Sequence, residues 1–127
     1  MIALLGNLTT HILDVSAGKP AANVRIELFK CAPNSSGDGT KTEKINTMVT
    51  NSDGRCDGAI LSGDDFRTGR YELSFHIGDY FDQMGVKLPD PKFIDVVVVR
   101  FGIADEGAHY HVPLLVSPFG YSTYRGS

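Results

Sequence analysis

Val24-Arg25-Ile26-Glu27-Leu28-Phe29-Lys30 places Val24, Ile26 and Leu28 on one face of an extended chain and Arg25 and Glu27 on the other. Successive side chains of a strand point to opposite faces, so this alternation predicts a strand half-buried in an antiparallel sheet. Tyr71-Glu72-Leu73-Ser74-Phe75-His76-Ile77 repeats it, with Tyr71, Leu73, Phe75 and Ile77 facing one way. Stretches rich in Gly, Ser, Asn and Asp at 16–20, 34–39 and 51–54 supply the turns between such runs. Many short strands at this spacing predict an all-β sandwich or barrel. One short helix is expected over 80–84, capped by Asp79 and ended by Gly85, with Pro89 and Pro91 beyond it.

Two strands depart from the half-polar rule. The run 93–101, Phe-Ile-Asp-Val-Val-Val-Val-Arg-Phe, is apolar on both faces. One small sandwich cannot cover both faces of an outer strand, so a contact between subunits is expected there. In the first strand Leu8, Thr10 and Ile12 would face the core, which turns His11 and Leu13 outward together. A leucine beside a histidine on an outer face suggests a covered groove.

The chain has 127 residues, 42% of them hydrophobic and 21% charged, with a net charge of -3. These values fit a single globular domain over 1–127, with 1–7 as an N-terminal extension. Charges of both signs are interspersed, which gives no footprint for nucleic acid. Cys31 and Cys56 make neither a disulfide framework nor a zinc-finger spacing and read as reduced thiols. The apolar start, Met1 to Asn7, lacks the basic flank of a secretory signal, and no run approaches membrane-spanning length. A cytoplasmic protein is expected.

The residues that can move a proton are few. His109-Tyr110-His111 puts two imidazoles on one strand face, followed there by Pro113 and Leu115. Imidazole titrates near neutrality and can take a proton from water or return one to a leaving nitrogen. Taken alone, a His-x-His pair is an ordinary strand surface. Arg55, after the Asp53-Gly54 turn, offers a planar fork for a substrate oxygen, although on the sequence alone a solvated charge beside a hairpin accounts for it better. Asp64-Asp65 and Asp105-Glu106 read as solvated loop carboxylates, and His76 as a structural histidine. No nucleophile elbow or phosphate-cradling loop is present. After an apolar run 111–116 and a compact turn 117–123, the chain finishes Tyr124-Arg125-Gly126-Ser127, a polar, cationic tail in a place that usually frays.

Taken together, Leu8-Thr9-Thr10-His11-Ile12-Leu13-Asp14, Asn51-Ser52-Asp53-Gly54-Arg55, His109-Tyr110-His111-Val112-Pro113-Leu114-Leu115 and Tyr124-Arg125-Gly126-Ser127 resemble the 5-hydroxyisourate hydrolases, the enzymatic relatives of transthyretin. The resemblance runs from about Leu8 to Ser127, and the closing tetrapeptide after Ser-Pro-aromatic-x-Tyr-Ser-Thr is highly specific to that family. Gly120 departs from the pattern, where the family usually has serine, and should loosen that turn slightly.

The resemblance implies a transthyretin-like sandwich of two four-stranded antiparallel sheets with one short helix. It also implies a homotetramer, a dimer of dimers, with a channel lined by the first strand and the last two. His11, Arg55 and His111 match the family's catalytic positions, with Ser127 beside them, and Tyr124, Arg125 and Gly126 match its substrate-contacting tail. His109 is expected behind His111 or facing solvent. The implied reaction is hydrolysis of 5-hydroxyisourate to 2-oxo-4-hydroxy-4-carboxy-5-ureidoimidazoline in urate catabolism. Histidine-assisted attack of water would open the lactam ring, with no cofactor and no metal. The alternative is a transthyretin-type carrier of a small aromatic ligand, a fold relative that lacks these two histidines, this arginine and this tail.

Overall fold

The computed structural model describes residues 6–33 and 39–127. Most of the expected 34–39 turn and of the 1–7 extension lie outside the described residues, and Asn7 already begins the first strand. In chain order the elements are β1 (Asn7–Asp14), β2 (Lys19–Pro20), β3 (Arg25–Pro33), β4 (Thr40–Val49), β5 (Leu61–Ser62), β6 (Gly69–His76), α1 (Ile77–Gln83), β7 (Val96–Ile103), β8 (Tyr110–Ser117) and β9 (Gly120–Thr123).

They form the expected two-sheet sandwich with one short helix. One sheet runs β4-β3-β6-β7, and the other runs β2-β1-β8-β9 with β5 also on β1. Every pairing is antiparallel except β1 with β8, which is parallel and sets Thr9 opposite His111 and His11 opposite Pro113. Between the sheets the inward sets of the alternating strands close one core: Leu8 and Ile12, Ile26 and Leu28, Leu73 and Phe75, Val112 and Leu114. Removing this apolar area from water is the main stabilising term for such a sandwich.

The helix starts three residues before the expected Tyr80, with His76 at its cap position and Asp79 inside its first turn. Ile77 completes the apolar alternation of β6 and is buried as the first helical residue, which is why the sequence pattern runs across the boundary. Gly85 ends the helix at a φ of 74°, a left-handed conformation that favours glycine. The Gly78 amide donates to the Asp95 carbonyl at 2.7 Å, tying 93–95 to the helix. The edge strand therefore begins at Val96 instead of Phe93.

The far end of β1 is fastened to the helix by one carboxylate. Asp14 accepts from the Ser16 amide and hydroxyl, the Ala17 amide and, at 2.7 Å, the Tyr80 hydroxyl. Burial alone would raise this carboxyl, but the hydrogen bonds outweigh it and hold Asp14 below its usual range. Burial and the Asp14 charge push the Tyr80 phenol upward, so it stays a donor. With its carboxylate ionised and fully bonded, Asp14 can be buried without penalty from an unpaired charge.

Candidate active site

The outward face of β1 carries Asn7, Thr9, His11 and Leu13, all half-buried, while Leu8, Thr10, Ile12 and Asp14 point into the core. On the side of β1 away from β8, three segments share the edge. β5 pairs at Asn7 and Leu8, β2 pairs at Leu13 and Asp14, and the 51–55 turn fills the gap between them. The Asn51 side-chain oxygen accepts from the amides of Asp53 and Arg55, and the Gly54 amide donates to the Asn51 carbonyl at 2.9 Å. Gly54, at φ 74°, lies so close to β1 that a Cβ would be 2.5 Å from the Ile12 carbonyl oxygen. Its own carbonyl accepts from the Ile12 amide at 2.9 Å. Arg55 is thereby paired with His11 as a cross-strand neighbour on the same face.

The second imidazole comes from β8. His111 stands opposite Thr9, whose hydroxyl is 2.8 Å from its Nδ1. His109, two residues earlier on the same face, lies with its ring stacked 6.5 Å from that of His111. Burial first and the Arg55 charge second lower the pKa of both His11 and His111 below the ordinary imidazole value of 6.5. For His11 a backbone hydrogen bond at Asp53 and the Asp53 charge act in the opposite direction. His109 and His11 lower His111 further, and no opposing cause acts on it. Two neutral imidazoles and a guanidinium therefore share one surface.

The tail continues the sheet. The segment expected as a compact turn is a hairpin, in which β9 pairs back on β8 from Ser117–Gly120 to Leu114–Thr123. Gly120 leaves room at its Cβ position, 3.8 Å from the Ser117 hydroxyl, so the turn does not require glycine. Extending that register sets Tyr124 opposite Pro113. Proline has no amide to donate, and the Pro113 carbonyl takes the Thr123 hydroxyl instead, at 2.7 Å. Pairing resumes at Gly126, whose amide donates to the His111 carbonyl at 2.7 Å.

Gly126 packs on the Cδ2 edge of the imidazole, where a Cβ would fall 2.5 Å from Cδ2 and 3.2 Å from Cγ. Gly126→Ala must displace either the tail or the ring. The expected result is a fall in any activity that depends on His111, with the melting temperature little changed because the exposed tail adds little to the core; a thermal melt beside an activity measurement checks it.

The tail residues divide between two faces. Tyr124 is 60% exposed and falls in register on the imidazole face. Arg125 falls on the other: its guanidinium carbon lies 4.0 Å from the Tyr110 ring centroid, and it reaches toward the His109 carbonyl. That side opens to a cavity of about 260 Å³ lined by Val99, Phe101, Tyr110, Val112 and Arg125 among others, and Tyr124 also contributes to this lining. Ser127 is exposed just past Gly126. The structure thus gathers His11, Arg55, His111, Gly126 and the ring of His109 on one surface, and directs Arg125 away from it. Thr9 and Asn7 belong to the same surface and were missed by the sequence reading. Their odd positions, in phase with His11, were the available signal. Among the described residues no three histidine, cysteine or carboxylate side chains gather as a metal-ligand set.

The model of the HIUase/Transthyretin family matches residues 8–126. The 5-hydroxyisourate hydrolase 2 of Rhizobium meliloti is 56% identical over 122 residues, covering 96% of this chain and 97% of the relative. The 5-hydroxyisourate hydrolase of Pseudomonas aeruginosa is 53% identical over 97% of this chain and 93% of its own. Among solved structures, an (S)-allantoin synthase superposes with a TM-score of 0.87 at 42% identity. The match covers 97% of this chain but only 44% of the synthase. The Klebsiella pneumoniae 5-hydroxyisourate hydrolase gives a TM-score of 0.73 at 34% identity, covering 96% of this chain and 100% of that one. A sea bream transthyretin in complex with thyroxine gives 0.80 at 29% identity, over 94% of each chain.

Proposed function

The chain belongs to the HIUase/Transthyretin family, and from that premise we propose that it hydrolyses 5-hydroxyisourate to 2-oxo-4-hydroxy-4-carboxy-5-ureidoimidazoline, a step of urate degradation, as one domain. The observation that carries this reading is the juxtaposition of His11, Arg55 and His111 on the outer face of β1 and β8. An apolar carrier would have no use for two neutral imidazoles held beside a guanidinium.

The reaction adds one water and breaks one ring C–N bond. A neutral imidazole takes a proton from water as the oxygen adds to the lactam carbonyl. Arg55 lies against the oxygen that becomes negative and stabilises it more than the ground-state carbonyl. Collapse of the tetrahedral adduct expels the ring nitrogen, which takes the proton back from the imidazolium, leaving a carboxylic acid. Either histidine can fill the first role on this geometry. Tyr124 walls the groove, Gly126 admits the tail beside His111, and Ser127 and Arg125 contact substrate or water, Arg125 after leaving its perch on Tyr110.

The imidazole surface of a single chain is open. Enclosure requires a facing surface, and we assign that role to further copies, as a homotetramer arranged as a dimer of dimers. Val96, Val98 and Phe119, exposed at 41%, 48% and 62%, are the apolar material at the edges that such copies would cover. No helix is long and apolar enough to cross a membrane among the described residues. A cytoplasmic setting belongs to the same proposal, supported by the unpaired thiols of Cys31 and Cys56.

The test is the ultraviolet decay of freshly generated 5-hydroxyisourate. Added protein should accelerate it in proportion to concentration, with and without a strong chelator. Decay at the uncatalysed rate, combined with tight binding of an aromatic ligand, would establish the carrier instead.

A further inference from the structure

Beside the two imidazoles and the guanidinium lies a row of polar groups with no role in the steps above. Asn7 and Thr9 on β1 and His109 at the entrance to β8 form a continuous chain of contacts ending on His111. The Asn7 side-chain oxygen meets His109 Nδ1, His109 Nε2 is 3.3 Å from the Thr9 hydroxyl, and that hydroxyl is 2.8 Å from His111 Nδ1.

The proton directions along this chain follow from chemistry. An amide oxygen only accepts, so His109 carries its hydrogen on Nδ1 and presents a lone pair at Nε2. A hydroxyl has one hydrogen, and Thr9 gives it to His109 Nε2. The Thr9 oxygen is then left to accept, and His111 Nδ1 must be the donor. A neutral imidazole with its hydrogen on Nδ1 has a bare lone pair on Nε2. The Nδ1 edge of the His111 ring lies on Thr9 and its Cδ2 edge on Gly126, so Nε2 points out of the sheet into the groove.

We propose that Asn7, His109 and Thr9 are positioning residues that hold neutral His111 in its Nδ1-protonated tautomer, leaving Nε2 free to take the proton from the attacking water. This deepens the hydrolase reading and rests on it. His11 sits differently: burial and the Arg55 charge hold its pKa below the ordinary value, while the Asp53 backbone and carboxylate act the other way without reversing the shift.

Nitrogen NMR of the labelled, ligand-free protein, recorded above the imidazole titration range, reads the tautomer directly. The His111 signals are identified by their loss in His111→Gln. The expected spectrum has His111 and His109 both protonated on Nδ1 and bare on Nε2; His111 protonated on Nε2 overturns the proposal. In the rate assay, Thr9→Val removes the hydroxyl while keeping the strand-forming shape. It should lower kcat by about 10- to 100-fold, part of what a positioned acid–base group contributes, with KM nearly unchanged. Thr9→Ser should restore most of that loss, and Asn7→Asp, which still only accepts at its ionised oxygens, should keep the tautomer. An unchanged kcat in Thr9→Val overturns the relay while the hydrolase reading stands. A wild-type protein without hydrolase activity removes that reading, and the tautomer assignment is then decided by the spectrum alone.

Discussion

His111→Ala should lower turnover of 5-hydroxyisourate by about 10²–10⁴-fold, and His11→Ala by a similar factor, with the oligomeric state and the far-ultraviolet spectrum unchanged. Both side chains are half-buried on the outer face of their strands, so their removal leaves the inter-sheet core intact. The loss is of chemistry, and it should appear in kcat more than in KM. The double variant should fall less than the product of the two single losses, because the imidazoles act on one proton transfer. Stopped-flow decay of the substrate measures each. Near-wild-type rates in both single variants would remove the two histidines from the mechanism.

Arg55→Gln carries the second large effect, a loss of about 10²–10³-fold, the range expected when one donor to a developing oxyanion is removed. Lysine should not restore it fully, since an ammonium lacks the planar fork. The same substitution has a signature in pH. Burial and then the Arg55 charge hold both His11 and His111 below the usual imidazole value. Without the charge, both imidazoles titrate at higher pH. The catalytic imidazole must be neutral to accept a proton, so activity falls as pH drops through its pKa. The acid limb of kcat/KM should therefore lie below 6.5 in the wild type and move upward in Arg55→Gln. A limb that stays in place would show that Arg55 is not felt by the base.

The strands with one apolar face were legible because the pleat ties sequence parity to burial. β1 follows its alternation throughout, β3 as far as Leu28, where its register shifts, and β6 apart from the buried Ser74. β4 offered no such signal, since its first six residues are exposed and its stabilisation comes from pairing with β3. β9 was hidden behind Pro118 and Gly120, residues that mark turns, although they enclose only the bend of a hairpin. The parallel pairing of β1 with β8 is invisible to any periodicity, because direction belongs to the topology of the sheet.

The candidate site was legible in part for the same reason. Parity placed His11 outward and put His109 and His111 together. It could not bring Arg55 to His11, because that contact depends on a turn filling the gap between β2 and β5 along β1. Arg125 shows the converse, since counting back from Gly126 already separates it from the imidazole face. Thr9 and Asn7 are small, common strand residues, and only the hydrogen bonds to two histidine rings single them out.

The β4-β3-β6-β7 sheet ends differently on its two sides. β4 presents exposed Lys41, Glu43 and Lys44, and a register shift at Leu28/Phe29 disturbs its pairing, whereas β7 presents Val96 and Val98. Charge and irregular pairing discourage strand addition, and the two exposed valines at the start of β7, ahead of the ion-paired Arg100, invite it. If copies add through that margin, growth would occur only once, margin to like margin, leaving both outer ends guarded. Such a ribbon would double and then stop, which separates a finite particle from a fibre.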